Sequence, residues 1–308
     1  MTPPRPSDPW APDIDIDAPL ARSLVGAQFP QLGELRLEPA GEGWDNAAFL
    51  VNDAFIFRFP RRSVSAKLIA RELRFLPAIA PRLPLPIPMP AFAGVPSEAY
   101  PWPFAGYRWL DGRELSSLQP ADEAYGELAA ALGGFLRALR GIDAAPLAEA
   151  GLPGDEIGRL DDVRMMPKLE TRLRELHETG TVRDPAAILE AVEALRPIAP
   201  PSLLTVAHGD LYARHVLVDE AIRPTGIIDW GDLHLGDPAV DLAIVFSVIP
   251  PQARAAFFSA FGSPSEAAVS AARFRAIYHS AMVAHYGQRI GDADLLHIGV
   301  RGLAQALL

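Results

Sequence analysis

The sequence predicts an α+β fold with a small strand-rich N-terminal part and a larger, mostly helical C-terminal part. Three observations carry this. Runs rich in aromatic and β-branched residues cluster before residue 60, a proline-dense stretch follows at 77–90, and helical spacing of apolar residues dominates after residue 120. Strands segregated from helices, instead of alternating with them, argue against a doubly wound parallel sheet.

Each element has its own signal. Residues 1–13 are proline-rich, lack the apolar segment of a secretory signal, and read as a loose tail. Leu20, Leu24 and Val25 give residues 14–30 helix-like spacing. Residues 34–38 alternate like a strand, and the turn over 41–46 leads into strand-like runs at 48–51 and 54–59, with Asn52-Asp53 as a hairpin turn between them. A helix over 63–76 follows, carrying Glu72. Proline at the density of 77–90 argues against helix there and for an extended path. Phe104–Leu110 reads as a short strand. Leu128, Leu132, Phe135, Leu136 and Leu139 form the buried stripe of a helix over 121–141, and another helix spans 160–178. Asp184-Pro185 supplies the N-cap and first position of a further helix to about Arg196. Short strands are expected at 203–207, 215–218 and 225–228, and helices return from Pro238. The expected organisation is an N-terminal lobe over 14–106, a hinge over 107–112 and a C-terminal lobe over 113–308.

Composition bounds the function. The net charge of −10 disfavours nucleic-acid binding, which needs clustered Lys and Arg for phosphates. Such acidity suits a cationic substrate through steering, and serves solubility equally well. The chain has no cysteine, which excludes disulfides and thiolate metal sites and fits a cytoplasmic protein. No apolar run approaches a membrane span. Nothing in the sequence distinguishes monomer from dimer.

The chemistry concentrates in His208-Gly-Asp210-Leu-Tyr-Ala-Arg-His215-Val-Leu-Val-Asp219 and Gly226-Ile-Ile-Asp229-Trp-Gly-Asp232. Polar groups able to bind metal or move protons sit at the edges of apolar, strand-like runs. If 216–218 and 226–228 pair as a hairpin, His215 leads into it and Asp229 leads out at the same end. Asp210 lies on the loop just before, so the three groups converge.

This arrangement resembles the aminoglycoside phosphotransferase family, which shares the two-lobed protein-kinase fold. His208-Gly209-Asp210 resembles the family's catalytic loop and Ile228-Asp229-Trp230 its metal segment, while Asp237-Pro-Ala-Val-Asp241 resembles the element that follows. The resemblance implies a kinase that moves the γ-phosphoryl of ATP or GTP to a hydroxyl of a small molecule, an aminoglycoside- or macrolide-like antibiotic. Metabolic alcohols such as sugars, choline or amino-alcohols, or a catalytically weak pseudokinase, are the alternatives. It implies that Asp210 orients or deprotonates the acceptor hydroxyl and that Asp229 binds Mg²⁺. His215 stands where most members carry Asn. Histidine there resembles the aminoglycoside 2''- and macrolide phosphotransferases and implies a second metal ligand. Arg58 and Glu72 occupy the places of the family's phosphate-binding Lys and its helix Glu. Gly43 and Asn46 lie in the turn that would cover the phosphates, and Tyr107 to Leu110 would offer backbone groups to the purine. Asp241 would support the catalytic loop by hydrogen bonds, and His208 would buttress it. His177, His279, His285 and His297 are read as structural, and His234 as a loop residue. Asp232, Asp292 and Asp294 are either solvated loop acids or an acidic acceptor cleft.

Overall fold

The computed structural model describes residues 12–42, 46–201 and 203–308. Gly43, expected over the phosphates, lies outside the described residues. The chain divides into two compact units: one holds the residues up to Pro81 together with Ile87–Leu110, the other Arg82–Pro86 together with Asp111–Leu308.

In the first unit, α1 (Ala18–Gln28) begins at Asp17, whose side chain accepts from the Leu20 backbone N–H at 2.8 Å, an N-cap that answers one otherwise unpaired amide. Then come β1 (Leu37–Glu42), β2 (Asn46–Val51), β3 (Phe55–Pro60), α2 (Ser63–Ile79), β4 (Pro90–Gly94) and β5 (Phe104–Arg108). The strands form one antiparallel sheet in the order β1-β2-β3-β5-β4. The β2–β3 turn falls where expected. Asn52 and Asp53 adopt φ of +52° and +55°, the left-handed region that Asn and Asp tolerate best. Phe57, Phe59 and Phe104 are fully buried beside Leu24 and Val25 of α1, with Phe59 and Phe104 stacked at 4.7 Å.

Two expectations fail here. α2 runs through Pro77 to Ile79 instead of stopping at 76. Proline inside a helix costs about 3 kcal/mol, but Phe75, Leu76 and Ile79 are buried and their burial offsets it. The stretch read as merely extended also ends in a strand, β4. It lies at the sheet edge with Pro90 as its first residue, a position where proline's missing N–H is tolerated.

The second unit contains β6 (Arg113–Glu114), α3 (Tyr125–Arg140), α4 (Ala145–Glu149), α5 (Asp162–Glu178), α6 (Pro185–Glu193), β7 (Thr205–Ala207), β8 (Val216–Val218), β9 (Pro224–Ile227), β10 (His234–Gly236), α7 (Ala239–Leu242), α8 (Ile244–Ser247), α9 (Arg254–Phe261), α10 (Glu266–Ile290) and α11 (Ala293–Ala306). Asp184 caps α6 by accepting from Ala187 N–H at 3.0 Å. Asp292 caps α11 in the same way through Leu295, so this acid is committed to a helix start. The small sheets are β6-β8-β9 and β7-β10. His234, read from sequence as a loop residue, is buried in β10, whose pairing with β7 has no strong periodic signal in three residues. α10 packs against α5, α7, α8 and α11, and is therefore buried on most of its circumference. Among the described residues no helix is long and apolar enough to cross a membrane.

Candidate active site

The site begins where β7 ends. The chain leaves Ala207 into His208, Gly209 and Asp210, and Gly209 takes φ +89°. A Cβ there would lie 2.5 Å from the Asp232 carbonyl oxygen and 2.9 Å from the His234 ring, so only glycine allows this approach. The loop is held from below by Asp241, buried on α7. One carboxylate oxygen accepts from His208 N–H at 2.6 Å and the other from Gly209 N–H at 2.9 Å. The buttress expected of Asp241 is present as two charge-assisted bonds. His208 is fully buried. Its Nε2 donates to the Ile228 carbonyl at 2.9 Å, which leaves Nδ1 to accept from Asp210 N–H at 3.3 Å, and its ring lies 4.7 Å from Trp230. Burial holds the imidazole pKa below its ordinary value, in keeping with a neutral strut.

A short 3₁₀ turn over Ala213–His215 feeds β8, and β8 pairs with β9 with Val216 opposite Ile227. The hairpin expected over these residues therefore forms, and Ile228 N–H closes it by donating to the His215 carbonyl at 2.9 Å. Asp229 follows with φ +61°. A non-glycine residue there costs about 1–2 kcal/mol, and such outliers persist where surrounding structure fixes them. The consequence is visible in the neighbours. Trp230 turns inward, fully buried, and donates Nε1–H to the Ile227 carbonyl at 2.9 Å, while the Asp229 side chain stays 45% exposed.

The three groups expected to converge do so. His215 Nε2 lies 3.5 Å from Asp229 Oδ2, and His215 Nδ1 lies 3.7 Å from Asp210 Oδ2. The tautomer of His215 follows from its partner: Nδ1 is 2.7 Å from the Asp210 carbonyl oxygen, which only accepts, so Nδ1 carries the proton. Nε2 then presents its lone pair toward Asp229. A carboxylate and an imidazole lone pair side by side are a cation-binding pair. Among the described residues no cluster of three or more His, Asp or Glu is arranged to hold a metal by itself. Mg²⁺ keeps waters and is usually bound by one or two carboxylates plus substrate phosphates.

Asp210 has partners that the sequence did not disclose. His279 on α10, read as structural, donates Nε2–H to Asp210 Oδ1 at 2.9 Å. One turn earlier on α10, the buried Arg275 reaches the Gly209 carbonyl at 3.5 Å. Arg159 donates Nε–H to the same carbonyl at 2.9 Å and pairs through a second nitrogen with Asp232 at 2.8 Å. Burial by itself would raise the Asp210 pKa. The His279 hydrogen bond and the positive potential around it, Arg275 included, outweigh burial and hold the carboxyl well below the ordinary range. For Asp232 burial wins, with Asp210 adding repulsion, and its pKa is raised despite Arg159. The sequence signal is an Arg and a His four residues apart in one helix, a spacing that places both on one face.

In the first unit, Arg58 of β3 donates through Nη1 to both carboxylate oxygens of Glu72 on α2, at 3.0 and 3.2 Å. Glu72 is fully buried, and the phenol of Tyr107 donates to it at 2.5 Å. Tyr107 is thus not in a connecting segment. It lies inside β5, flanked by β3 and β4, and its side chain fixes the Glu72 carboxylate. Leu110 lies beyond the strand end and is partly buried. Asn46 opens β2, buried, and its Oδ1 has no hydrogen-bond partner among the described residues.

A model of the phosphotransferase enzyme family matches residues 36–279. The chain is similar to viomycin phosphotransferase of Streptomyces vinaceus, 32% identical over 120 residues that make up 37% of this chain and 39% of that enzyme. The chain spans well under half the length of the curated relatives it matches. Among solved structures it is similar to the GDP and kanamycin complex of APH(2")-IIia, with TM-score 0.66, 24% identity and coverage of 93% and 97% of the two chains. It is also similar to macrolide 2'-phosphotransferase MphH from Brachybacterium faecium, with TM-score 0.58, 22% identity and coverage of 88% and 92%. At these identities the structural likeness is one of fold.

Proposed function

This chain belongs to the phosphotransferase enzyme family, and from that premise we propose that it transfers the γ-phosphoryl group of ATP or GTP to a hydroxyl of a small molecule, an aminoglycoside- or macrolide-like antibiotic. The observation that carries the proposal is the convergence of Asp210, His215 and Asp229. Nucleotide and antibiotic complexes of similar folds, with GDP and kanamycin in one and streptomycin and ATP in another, support the choice of donor and acceptor classes.

The roles follow from the chemistry of each group. Asp210, kept ionised and oriented by His279, accepts a hydrogen bond from the acceptor hydroxyl and so aims the hydroxyl oxygen at the γ-phosphorus. A new P–O bond forms to that oxygen as the bond to the β-phosphate oxygen breaks. The hydroxyl proton leaves through Asp210, which is too weak a base to hold it early in the reaction. Asp229 and His215 Nε2 would hold Mg²⁺, which neutralises phosphate charge when bound. Arg58, positioned by Glu72, adds positive charge toward the phosphates. Its planar fork differs from the point charge of lysine. Tyr107 serves this arrangement through Glu72, and Asn46 and Leu110 remain the candidates for nucleotide contacts. The protein works as a soluble, cytoplasmic enzyme in this reading.

Titration of the wild type and Asp229→Ala with Mg²⁺ and a fluorescent ATP or GTP analogue tests the assignment. The variant is expected to bind the Mg²⁺-nucleotide at least about tenfold more weakly, while affinity measured in EDTA stays alike. Equal affinities with Mg²⁺ would contradict the role of Asp229.

A further inference from the structure

Beside the loop that carries Asp210 the second unit opens a shallow cleft. It is linked to Asp210 through His279, which holds Asp210 Oδ1 and also lines the cleft. Its apolar walls are Leu115, Leu118, Tyr125, Val248, Val283 and Ile298. Among the described residues, no Asp or Glu lines it. The fixed charge that does line it is positive: Arg301, 26% exposed, lies over the Tyr125 ring at 5.3 Å and is anchored on Asp122 at 3.1 Å. Of the other polar walls, Ser247 spends its hydroxyl proton on the Ala243 carbonyl, and His279 is committed to Asp210. The chain's net charge of −10 is therefore carried elsewhere than on this wall.

Resting on the phosphotransfer reading above, we infer that this cleft selects an acceptor that presents an apolar, at most singly charged face next to its reacting hydroxyl, and that it discriminates against polycations. The physical ground is desolvation. Each ammonium group pressed against Leu, Ile, Val and aromatic carbon loses its hydration and finds no carboxylate on these walls, where Arg301 already occupies Asp122. An apolar ring or macrocycle loses nothing there, and its contact with the same walls is favourable. Of the two tyrosines on the lining, Tyr125 already carries Arg301 over its ring, and Tyr212 packs against the rings of His215 and His279. The negative charge that would steer a polyamine to the protein is not placed on these walls.

The test compares kcat/KM for a macrocyclic lactone glycoside bearing one amine with that for kanamycin, in the wild type and in Leu118→Asp and Ile298→Asp. Both substituted positions are partly exposed wall residues. The wild type is expected to favour the macrocycle by about 100-fold or more, the factor that two unpaired charges at roughly tenfold each would give. Each aspartate variant is expected to move that ratio about tenfold toward kanamycin, since it gives the ammonium groups a partner. A wild type that prefers kanamycin, a flat ratio, or variants that lower both substrates equally would overturn the inference. So would a protein that binds Mg²⁺-nucleotide normally yet phosphorylates neither acceptor. Loss of nucleotide binding in the wild type is a separate result, and it would remove the phosphotransferase reading itself. The same nucleotide titration reports whether each variant is folded.

Discussion

Replacing Asp241 by alanine is expected to damage both the fold and the site, and the size of the damage can be worked from two bonds. The Asp241 carboxylate is 3% exposed and answers two backbone donors at once, His208 N–H at 2.6 Å and Gly209 N–H at 2.9 Å. Alanine leaves both donors buried without a partner. At about 1–3 kcal/mol for each orphaned group, the loss is about 2–6 kcal/mol, a large share of the roughly 5–15 kcal/mol that holds a domain together. Asparagine is the sharper probe. It keeps one oxygen but turns an NH₂ toward the other backbone donor, so about half of the loss should remain while volume and packing are unchanged. The same two amides set the position of Asp210, one residue further on, and a displacement of about 1 Å in a reacting group can cost about 100-fold in rate. Urea unfolding followed by tryptophan fluorescence reads the first effect, with Trp230 buried against His208 as a local reporter. Phosphate transfer at saturating nucleotide reads the second. An Asp241→Asn protein within about 0.5 kcal/mol of wild type, and with the wild-type transfer rate, would refute the assignment of Asp241 as the support of the catalytic loop.

Two further outcomes follow from neighbouring contacts. His279→Leu removes the donor to Asp210 Oδ1 and is expected to lower kcat by about 10- to 100-fold, the worth of a hydrogen bond to a charged group, with nucleotide affinity unchanged; His279→Gln should restore part of the rate, and a kcat equal to wild type in His279→Leu would contradict the contact's importance. Burial lowers the pKa of His208, His234 and His279 from the usual 6.5, so their unfolded forms take up protons first as pH falls. Stability is complete above about pH 6.5 and is lost below it, by up to about 4 kcal/mol per pH unit if all three act together. Urea midpoints at about pH 7.5 and 5.5 check this, and equal midpoints would contradict it.

Much of the site was legible because its chemistry is local in sequence. His208, Gly209 and Asp210 are consecutive, and a hairpin of two short apolar runs is enough to bring His215 and Asp229 to within 3.5 Å. The Asn52-Asp53 turn and the Asp184 cap were legible for a similar reason, since each is a backbone requirement met by one or two residues. The groups that act on Asp210 from a distance were not. His279 is 69 residues away on a helix buried on most sides, so its apolar pattern gives no face and a lone histidine reads as packing. Arg159 reaches the Gly209 carbonyl from 50 residues upstream, and only tertiary structure brings it there. Pro77 misled for the opposite reason: its local preference is strong, yet burial of Phe75, Leu76 and Ile79 continues the helix past it. The hinge role of Tyr107 comes from the family resemblance, whereas its own residues read as part of a short strand over 104–110. The structure places it one residue short of the end of β5, with its hydroxyl on Glu72.

Phosphoryl transfer at this site depends most directly on Asp210, and one paired measurement examines it. Single-turnover transfer to a competent acceptor is measured for wild type and Asp210→Asn, alongside the Kd of each for Mg²⁺-nucleotide. Asparagine keeps the size and one acceptor oxygen of the side chain but removes its charge, so the rate should fall by about 1,000-fold or more while Kd stays within about threefold. Transfer by Asp210→Asn at the wild-type rate would mean that the phosphoryl group is handed over somewhere else.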